Sequence, residues 1–450
     1  MPKKTLFLVF VIMCSVSSIY AQKMFNCIVQ NYNKKTLTLC SHFSGESKIM
    51  SKITTSDRGS FSFSLDTFKI GLYRIYFEND DYFDFIFNNE KISLVTNFED
   101  PVYNMLVIES NENKQFYTSL KANYETDYKT EIIEQLLDVY PEGNFTVEAK
   151  KEYAYLQTEK SVNLQNAINQ NPNSFAGKYL ACFKDFIIPS DISDSEIPNY
   201  INKNYWKNYN INDTILINSD GYNHIVIEYI KLKIRNYQTE DGYYFAAKDI
   251  LDHCRIGNKK IFNFIFEYIL EGFENIELYD QIYKLSLEYG ELCENDVTDD
   301  SNLKLRIKSY TELANGKIAP DFETTTLTKT TVKLSKNKQK YTLLIFWATW
   351  CEHCQAMIPE FERKKEIFNT HNIRVLTVSL DKYSENITNF ISNNNISFPV
   401  ICDLKSWDNE IVKKYFIFGT PTMFLIDNDM KIIARPYNSK NLFKTIEKLN

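Results

Sequence analysis

The stretch Tyr341-Thr342-Leu343-Leu344-Ile345-Phe346-Trp347-Ala348-Thr349-Trp350-Cys351-Glu352-His353-Cys354 decides the reading of this chain. Its first seven residues are almost continuously apolar, the pattern of a central strand buried on both faces. Apolar residues then recur with helical spacing from Ile358 to Phe368, so the two cysteines fall where a buried strand hands over to a helix. That place has chemical consequences. The first turn of a helix carries unpaired N–H groups and a partial positive charge, which favour a thiolate over a thiol. Two intervening residues let the second sulfur reach the first within one turn. His353 can add a positive charge beside the pair, which favours the reduced form and makes the disulfide more oxidising.

Outward from this stretch, Val332 and Leu334 mark a preceding strand and Ile373 to Leu380 a second buried one. Ile387 to Ile391 and Ile411 to Tyr415 have helical spacing. Thr422 to Ile426 and Lys431 to Ala434 are strands joined by a turn at Asp427-Asn428-Asp429, and Leu442 to Leu449 is a closing helix. Strands and helices in this order predict a three-layer α/β domain over residues 315–450. Two other uses of a CxxC were weighed. A closed zinc site needs four ligands, and only Cys402, His353 and His371 stand nearby in sequence, with no second CxxC. A purely structural disulfide at a helix start staples nothing, because its ring is so short. The expectation is a redox pair, with no metal and no cofactor.

With Pro359 five residues after Cys354, the motif resembles the thioredoxin superfamily and, within it, the extracytoplasmic TlpA/ResA branch. Ala319-Pro320-Asp321-Phe322 is similar to a motif that this branch shares with the peroxiredoxins, and Thr420-Pro421 stands where the family places its cis-proline loop. The resemblance covers about residues 315–450. It implies a thiol-disulfide oxidoreductase in which Cys351 is the exposed nucleophile and Cys354 the buried resolving thiol. Trp350 would flank the site as part of the docking surface. Pro421, in cis, would shape the wall beside Cys351, and the Thr420 backbone would pair with an extended substrate segment. Two positions depart from the pattern. Ile345 stands where thioredoxins carry a buried acid, and Met357 where some ResA-like proteins carry a Glu. Glu352 is the only acid between the cysteines; help to Cys354 through water and a plain solvated surface role both stay open for it. A His in the third place is similar to protein disulfide isomerases, so reductase, oxidase and isomerase directions stay open.

Ahead of this domain the chain changes character twice. From Phe25 to about Ile108 apolar residues alternate with polar ones, as in Phe61, Phe63 and Leu65 or Phe83, Phe85 and Phe87. Short strands at such spacing predict an antiparallel β-sandwich over residues 22–112. A disulfide between Cys27 and Cys40 would need a first hairpin with both on one face; the odd-numbered faces Phe25/Cys27/Val29 and Leu37/Leu39 point Cys40 the other way. From residue 113 to 314 the period is helical, as in Ile132, Ile133, Leu136, Leu137 and Tyr140, or Ile261, Phe264, Ile265, Tyr268 and Ile269. This predicts an all-α middle region. His42, His224 and His253 are isolated and read as structural. The sandwich and helical region resemble, more weakly, those that precede thioredoxin-like domains in secreted bacterial proteins, a likeness of architecture only.

Residues 1–21 have the form of a cleaved signal peptide: Lys3 and Lys4, an apolar run from Thr5 to Val16, and Ala21 before Gln22. Lipid attachment at Cys14 is the alternative; Met13 before it is larger than such processing wants. The remaining eight cysteines are too few for a disulfide scaffold, and those outside the motif read as small buried hydrophobes. A periplasmic or cell-envelope location follows, with no transmembrane segment after cleavage. The expected partners are protein thiols and disulfides of the envelope and a redox partner that recycles the pair. Net charge is −7 with no basic run, which excludes a nucleic-acid partner. Two rival functions remain: a thiol peroxidase of peroxiredoxin type, and a binding or scaffold protein with an accessory redox domain.

Overall fold

The computed structural model describes residues 23–43, 46–189, 192–193, 195–235, 239–293, 302–336 and 338–449. Residues 1–22, with Cys14 and Ala21, and the His42 side chain lie outside them. The chain divides into two compact units, residues 1–191 with 215–225, and residues 192–214 with 226–450.

The first unit begins with eight strands: β1 (Met24–Gln30), β2 (Thr36–Phe43), β3 (Glu46–Thr54), β4 (Ser60–Ser64), β5 (Gly71–Tyr76), β6 (Tyr82–Phe87), β7 (Ile92–Asn97) and β8 (Leu106–Glu109). They form two four-stranded sheets, ordered β4-β1-β7-β8 and β3-β2-β5-β6. Alternation puts one face of the inner strands inward, where aromatic rings interlock between the sheets. The ring of Phe25 on β1 lies 4.5 Å from Phe85 on β6 and 4.6 Å from Phe63 on β4. The first-hairpin premise for Cys27 and Cys40 is corrected here. β1 pairs with β4 and, in parallel, with β7, whereas β2 pairs with β3 and β5. The two cysteines therefore sit in different sheets, both free, and Cys40 shares a register position with Arg74 rather than with the inward Ile75.

Three helices follow the strands in this unit: α1 (Asn111–Val139), α2 (Asn144–Gln170) and α3 (Phe175–Ala181). Ser110 caps α1 by accepting the Asn113 N–H. The Asn113 side chain bonds both backbone groups of Ile86, at 2.8 and 2.7 Å, and so continues the β6 edge. Buried Glu112 accepts the N–H groups of Phe175 and Ala176 at the start of α3, where a carboxylate meets the positive end of the helix. The stripe from Ile132 to Leu137 is helical as its spacing predicts, but Tyr140 is the extended C-cap of α1, and Ile132 and Tyr140 are exposed rather than core.

Helices α4 (Ile197–Asn204), α5 (Gly221–Ile234), α6 (Glu240–Cys254), α7 (Lys259–Asn275), α8 (Tyr279–Cys293) and α9 (Leu303–Glu312) follow. In α7 the residues Ile261, Phe262, Phe264, Ile265, Phe266 and Ile269 are all buried; a helix apolar on so much of its circumference belongs in a core.

The C-terminal part comprises β9 (Glu323–Thr325), β10 (Thr331–Lys333), β11 (Tyr341–Trp347), α10 (Glu352–Arg363), α11 (Lys365–Thr370), β12 (Ile373–Ser379), α12 (Ser384–Asn393), β13 (Val400–Ile401), α13 (Glu410–Lys414), β14 (Thr422–Asp427), β15 (Ile432–Ala434) and α14 (Ser439–Ile446). Five strands form a mixed sheet ordered β13-β12-β11-β14-β15. β11 is its central strand, parallel to β12 and antiparallel to β14. Leu343 to Trp347 are fully buried, which is why the run contains no polar side chain after Thr342. β11, β12 and β13 end on the same edge, the edge where open α/β sheets place their sites.

Candidate redox site

Cys351 is the N-cap of α10. Its backbone is still extended, and its Sγ accepts the N–H of Cys354 at 3.3 Å, the bond that a serine oxygen makes in an ordinary cap. The Cys351 thiol in turn donates to the carbonyl of Thr420 at 3.3 Å, and the Thr420-Pro421 peptide is cis. The structure thus brings Cys351, Cys354 and Thr420 together. Cys351 is less open than expected for an attacking group, with 8% of its surface exposed, and Cys354 has none. Burial pushes the Cys354 thiol well above the usual range; the neighbouring Cys351 adds to this, while the Ala348 backbone and the Thr420 side chain pull the other way. Both positions where relatives carry an acid are apolar and buried here, Ile345 at 0% and Met357 at 4%. Glu352 and His353 are exposed on the first turn of α10, and Trp350 stands out from the surface at 52% exposure.

Two supports were missed in the sequence. Asp381 lies two residues beyond β12 and is buried, and its carboxylate accepts the N–H of Thr349 at 3.1 Å and the hydroxyls of Thr349 and Ser379. Gln355 donates to the Thr349 carbonyl at 2.6 Å. The loop between β11 and α10 is therefore tied to the next strand two residues before Cys351. An acid just after a mostly buried strand was the available signal, since a buried carboxylate needs donors. The second is Trp407, half exposed, whose ring lies 6.2 Å from that of Trp350. No periodicity marks it, because it sits in an irregular turn.

Helical residues also reach the site. A cavity of about 630 Å³ opens beside the motif, with Glu274, Tyr279 and Tyr310 on one side and His353, Thr420 and Pro421 on the other. Arg306 of α9 holds this wall. It is buried, pairs with Glu271 at 3.0 Å and with Glu274, and its guanidinium covers the ring of Phe418 at 4.7 Å, two residues before Thr420. Burial works against the charge of Arg306, but Glu274 and Glu271 more than offset it, and its pKa is raised. Arg435 donates to the carbonyl and hydroxyl of Ser309 at 2.7 and 2.9 Å. The turn after α7 closes with Leu278 N–H bonded to the Phe273 carbonyl, and Glu277 takes the left-handed position, φ +69°, that glycine usually fills.

A central strand that delivers two cysteines to the first turn of a helix, opposite a cis-proline loop, defines a thioredoxin-like domain with a dithiol centre. Sequence comparison agrees. The AhpC/TSA family profile matches residues 315–435. Thiol-disulfide oxidoreductase ResA of Bacillus thuringiensis (strain Al Hakam) is 30% identical over 120 residues, 27% of this chain and 68% of that protein. ResA of Bacillus thuringiensis subsp. konkukian (strain 97-27) is 32% identical over 118 residues, 26% of this chain. The chain spans 66% of that second relative's length, just under two thirds. Among solved structures, the thioredoxin domain of a thiol-disulfide oxidoreductase from Bacteroides vulgatus is 27% identical, with 31% of this chain and 99% of that one covered and a TM-score of 0.29. The chain belongs to the family of ResA-like thiol-disulfide oxidoreductases, whose thioredoxin-like domain it carries behind two four-stranded sheets and a helical region.

Proposed function

We propose that this protein exchanges disulfides with protein substrates outside the cytoplasm, with Cys351 as nucleophile and Cys354 as resolving thiol. The observation that carries this reading is the N-cap position of Cys351, whose sulfur faces the Cys354 N–H and the Thr420 carbonyl at 3.3 Å each. In the reducing direction the Cys351 thiolate attacks one sulfur of a substrate disulfide. A mixed disulfide forms, and the substrate's other sulfur leaves as a thiolate and takes a proton. Cys354 then loses its proton and attacks the Cys351 sulfur. The Cys351–Cys354 disulfide forms and the second substrate thiol is released, so two electrons have passed to the substrate. A dithiol of an envelope redox partner restores the pair by the same steps in reverse, and a substrate dithiol does so when the protein acts as oxidant. Trp350 and Pro421 border the position of the substrate sulfur. The extracytoplasmic setting rests on the leader-like residues 1–21. Among the described residues no helix is long and apolar enough to cross a membrane.

The test is the Cys354→Ala variant, which stops at the mixed disulfide. Envelope proteins covalently bound to it, and absent from Cys351→Ala, are the expected result; an empty trap would sink the reading. The AhpC/TSA match favours a second reading as a thiol peroxidase. Its reactive thiol would be Cys354, which has no exposed surface and a raised pKa. Rapid peroxide consumption with a sulfenic acid at Cys354 would favour that reading instead.

A further inference from the structure

The cavity beside the redox pair has a wall that helical residues build together with a segment of the thioredoxin-like domain. Tyr279 opens α8, Tyr310 lies on α9, and Tyr437 follows β15. The Tyr279 ring lies 6.0 Å from Tyr310 and 5.7 Å from Tyr437, inclined by only 25° and 30°. Three near-parallel rings from three elements make a row of π-faces.

Three carboxylates, those of Glu274, Glu277 and Glu360, line the cavity around this row. Glu274 gives one carboxylate oxygen to Arg306, and its other, Oε1, is buried with no hydrogen-bond partner. Glu277 occupies the left-handed turn position nearby and is exposed. Arg306 is already paired with Glu271 and Glu274, and of the other cations Arg435 lines the cavity while Lys364 lies beside Glu360. Arg435 spends its nitrogens on Ser309 and is covered by the rings of Tyr310 and Phe424, at 4.4 and 5.0 Å. Lys364 pairs with Glu360, the third carboxylate of the lining. The tyrosines report the same field: burial, and after it Glu277, pushes Tyr437 up to about 12. Aromatic faces with carboxylates at their end are the environment that recruits a cationic side chain.

We propose that this wall is a client-recognition subsite, and that the occupant is an extended polypeptide segment with an arginine or lysine beside its exchanging cysteine. The inference rests on the disulfide-exchange reading and extends it, because it names the substrate class. The cysteine of such a segment reaches Cys351 over the Thr420-Pro421 loop. Its basic neighbour lies along Tyr279 and Tyr437 toward Glu277 and Glu274. Arg306 and Arg435 hold the wall in place beforehand, so the client alone bears the ordering cost.

The experiment uses the full chain and cystine peptides of one length, with Arg, Ala, Phe or Glu beside the cysteine. Hydroxyethyl disulfide, too small to touch the wall, is the reference probe for each variant. Expected is a kcat/KM about tenfold higher for the Arg peptide than for the Ala or Glu peptide, carried by KM and reduced by salt. Glu277→Gln and Tyr437→Leu should each narrow the Arg-to-Glu ratio after normalisation to the reference probe. Equal turnover of Arg and Glu peptides, a preference for Phe, or a ratio unmoved in both variants overturns the subsite while leaving exchange intact. Inertness toward peptides and hydroxyethyl disulfide alike overturns the exchange reading and this inference with it.

Discussion

The buried carboxylate of Asp381 accepts the backbone N–H of Thr349 at 3.1 Å as well as its hydroxyl. Two strands of the sheet are thereby clamped at the edge where Cys351 is displayed. Asp381→Asn loses part of this acceptor set and leaves buried donors unpaired, at a cost of about 1–3 kcal/mol. The thermal midpoint should fall, and alkylation of Cys351 by iodoacetamide should slow as its cap loosens. A lowered midpoint with wild-type alkylation would reduce Asp381 to a stabilising role.

Arg306 is the most exposed to failure of the helical residues near the site. Arg306→Met leaves the carboxylates of Glu271 and Glu274 without their partner in a partly buried setting, which costs about 3–5 kcal/mol for a buried pair. Urea unfolding should show that loss, and the double variant Arg306→Met/Glu274→Gln should recover part of it. Additive effects in the double variant would show that the two residues act independently.

The raised pKa of Cys354 has two consequences. Near neutral pH the folded protein should accept one iodoacetamide at the motif, on Cys351, because Cys354 is both buried and protonated. Two labels at equal rates would contradict its buried position. Stability should also depend on pH at the alkaline end. Cys254 and Cys293 are pushed by burial to about 12, above the ordinary thiol value of 9.0, and Cys354 is raised as well. These folded thiols keep protons that the unfolded chain releases, so their contribution is complete below about pH 9 and is lost as pH rises above it. The thermal midpoint should hold steady from pH 7 to 8.5 and decline beyond 9. A flat profile to pH 11 would disprove the linkage.

His353 should set the redox poise. A positive charge at His353 favours the dithiol, so the reduction potential should lie between roughly −270 mV, where thioredoxin sits, and about −120 mV, where strong dithiol oxidants sit. His353→Pro should move it toward the reducing end by tens of millivolts, measured against glutathione. A wild-type value already at −270 mV would show that His353 does not control the pair.

What was legible in the sequence was whatever short-range pattern dictates. An unbroken apolar run must be buried on both faces, so Tyr341 to Trp347 announced the central strand and placed Cys351 at its end. Period two gave the two sheets, and the spacing of Ile261 to Ile269 gave a core helix. Strand pairing was not legible, because the alternation of β1 and β2 is satisfied by any partner with the same period; only the folded chain put Cys27 and Cys40 in different sheets. Asp381, Trp407 and the tyrosine wall were invisible for a related reason. Thr349 and Asp381 stand 32 residues apart, and Tyr279, Tyr310 and Tyr437 span three elements, so no local pattern records their meeting. The sequence by itself determined that Cys351 and Cys354 stand within one helical turn at the end of a buried strand, since that depends only on short-range pattern. The tertiary structure decided what surrounds them: a clamp on their loop, an apolar setting for Cys354, and an aromatic, acidic wall from a distant part of the chain.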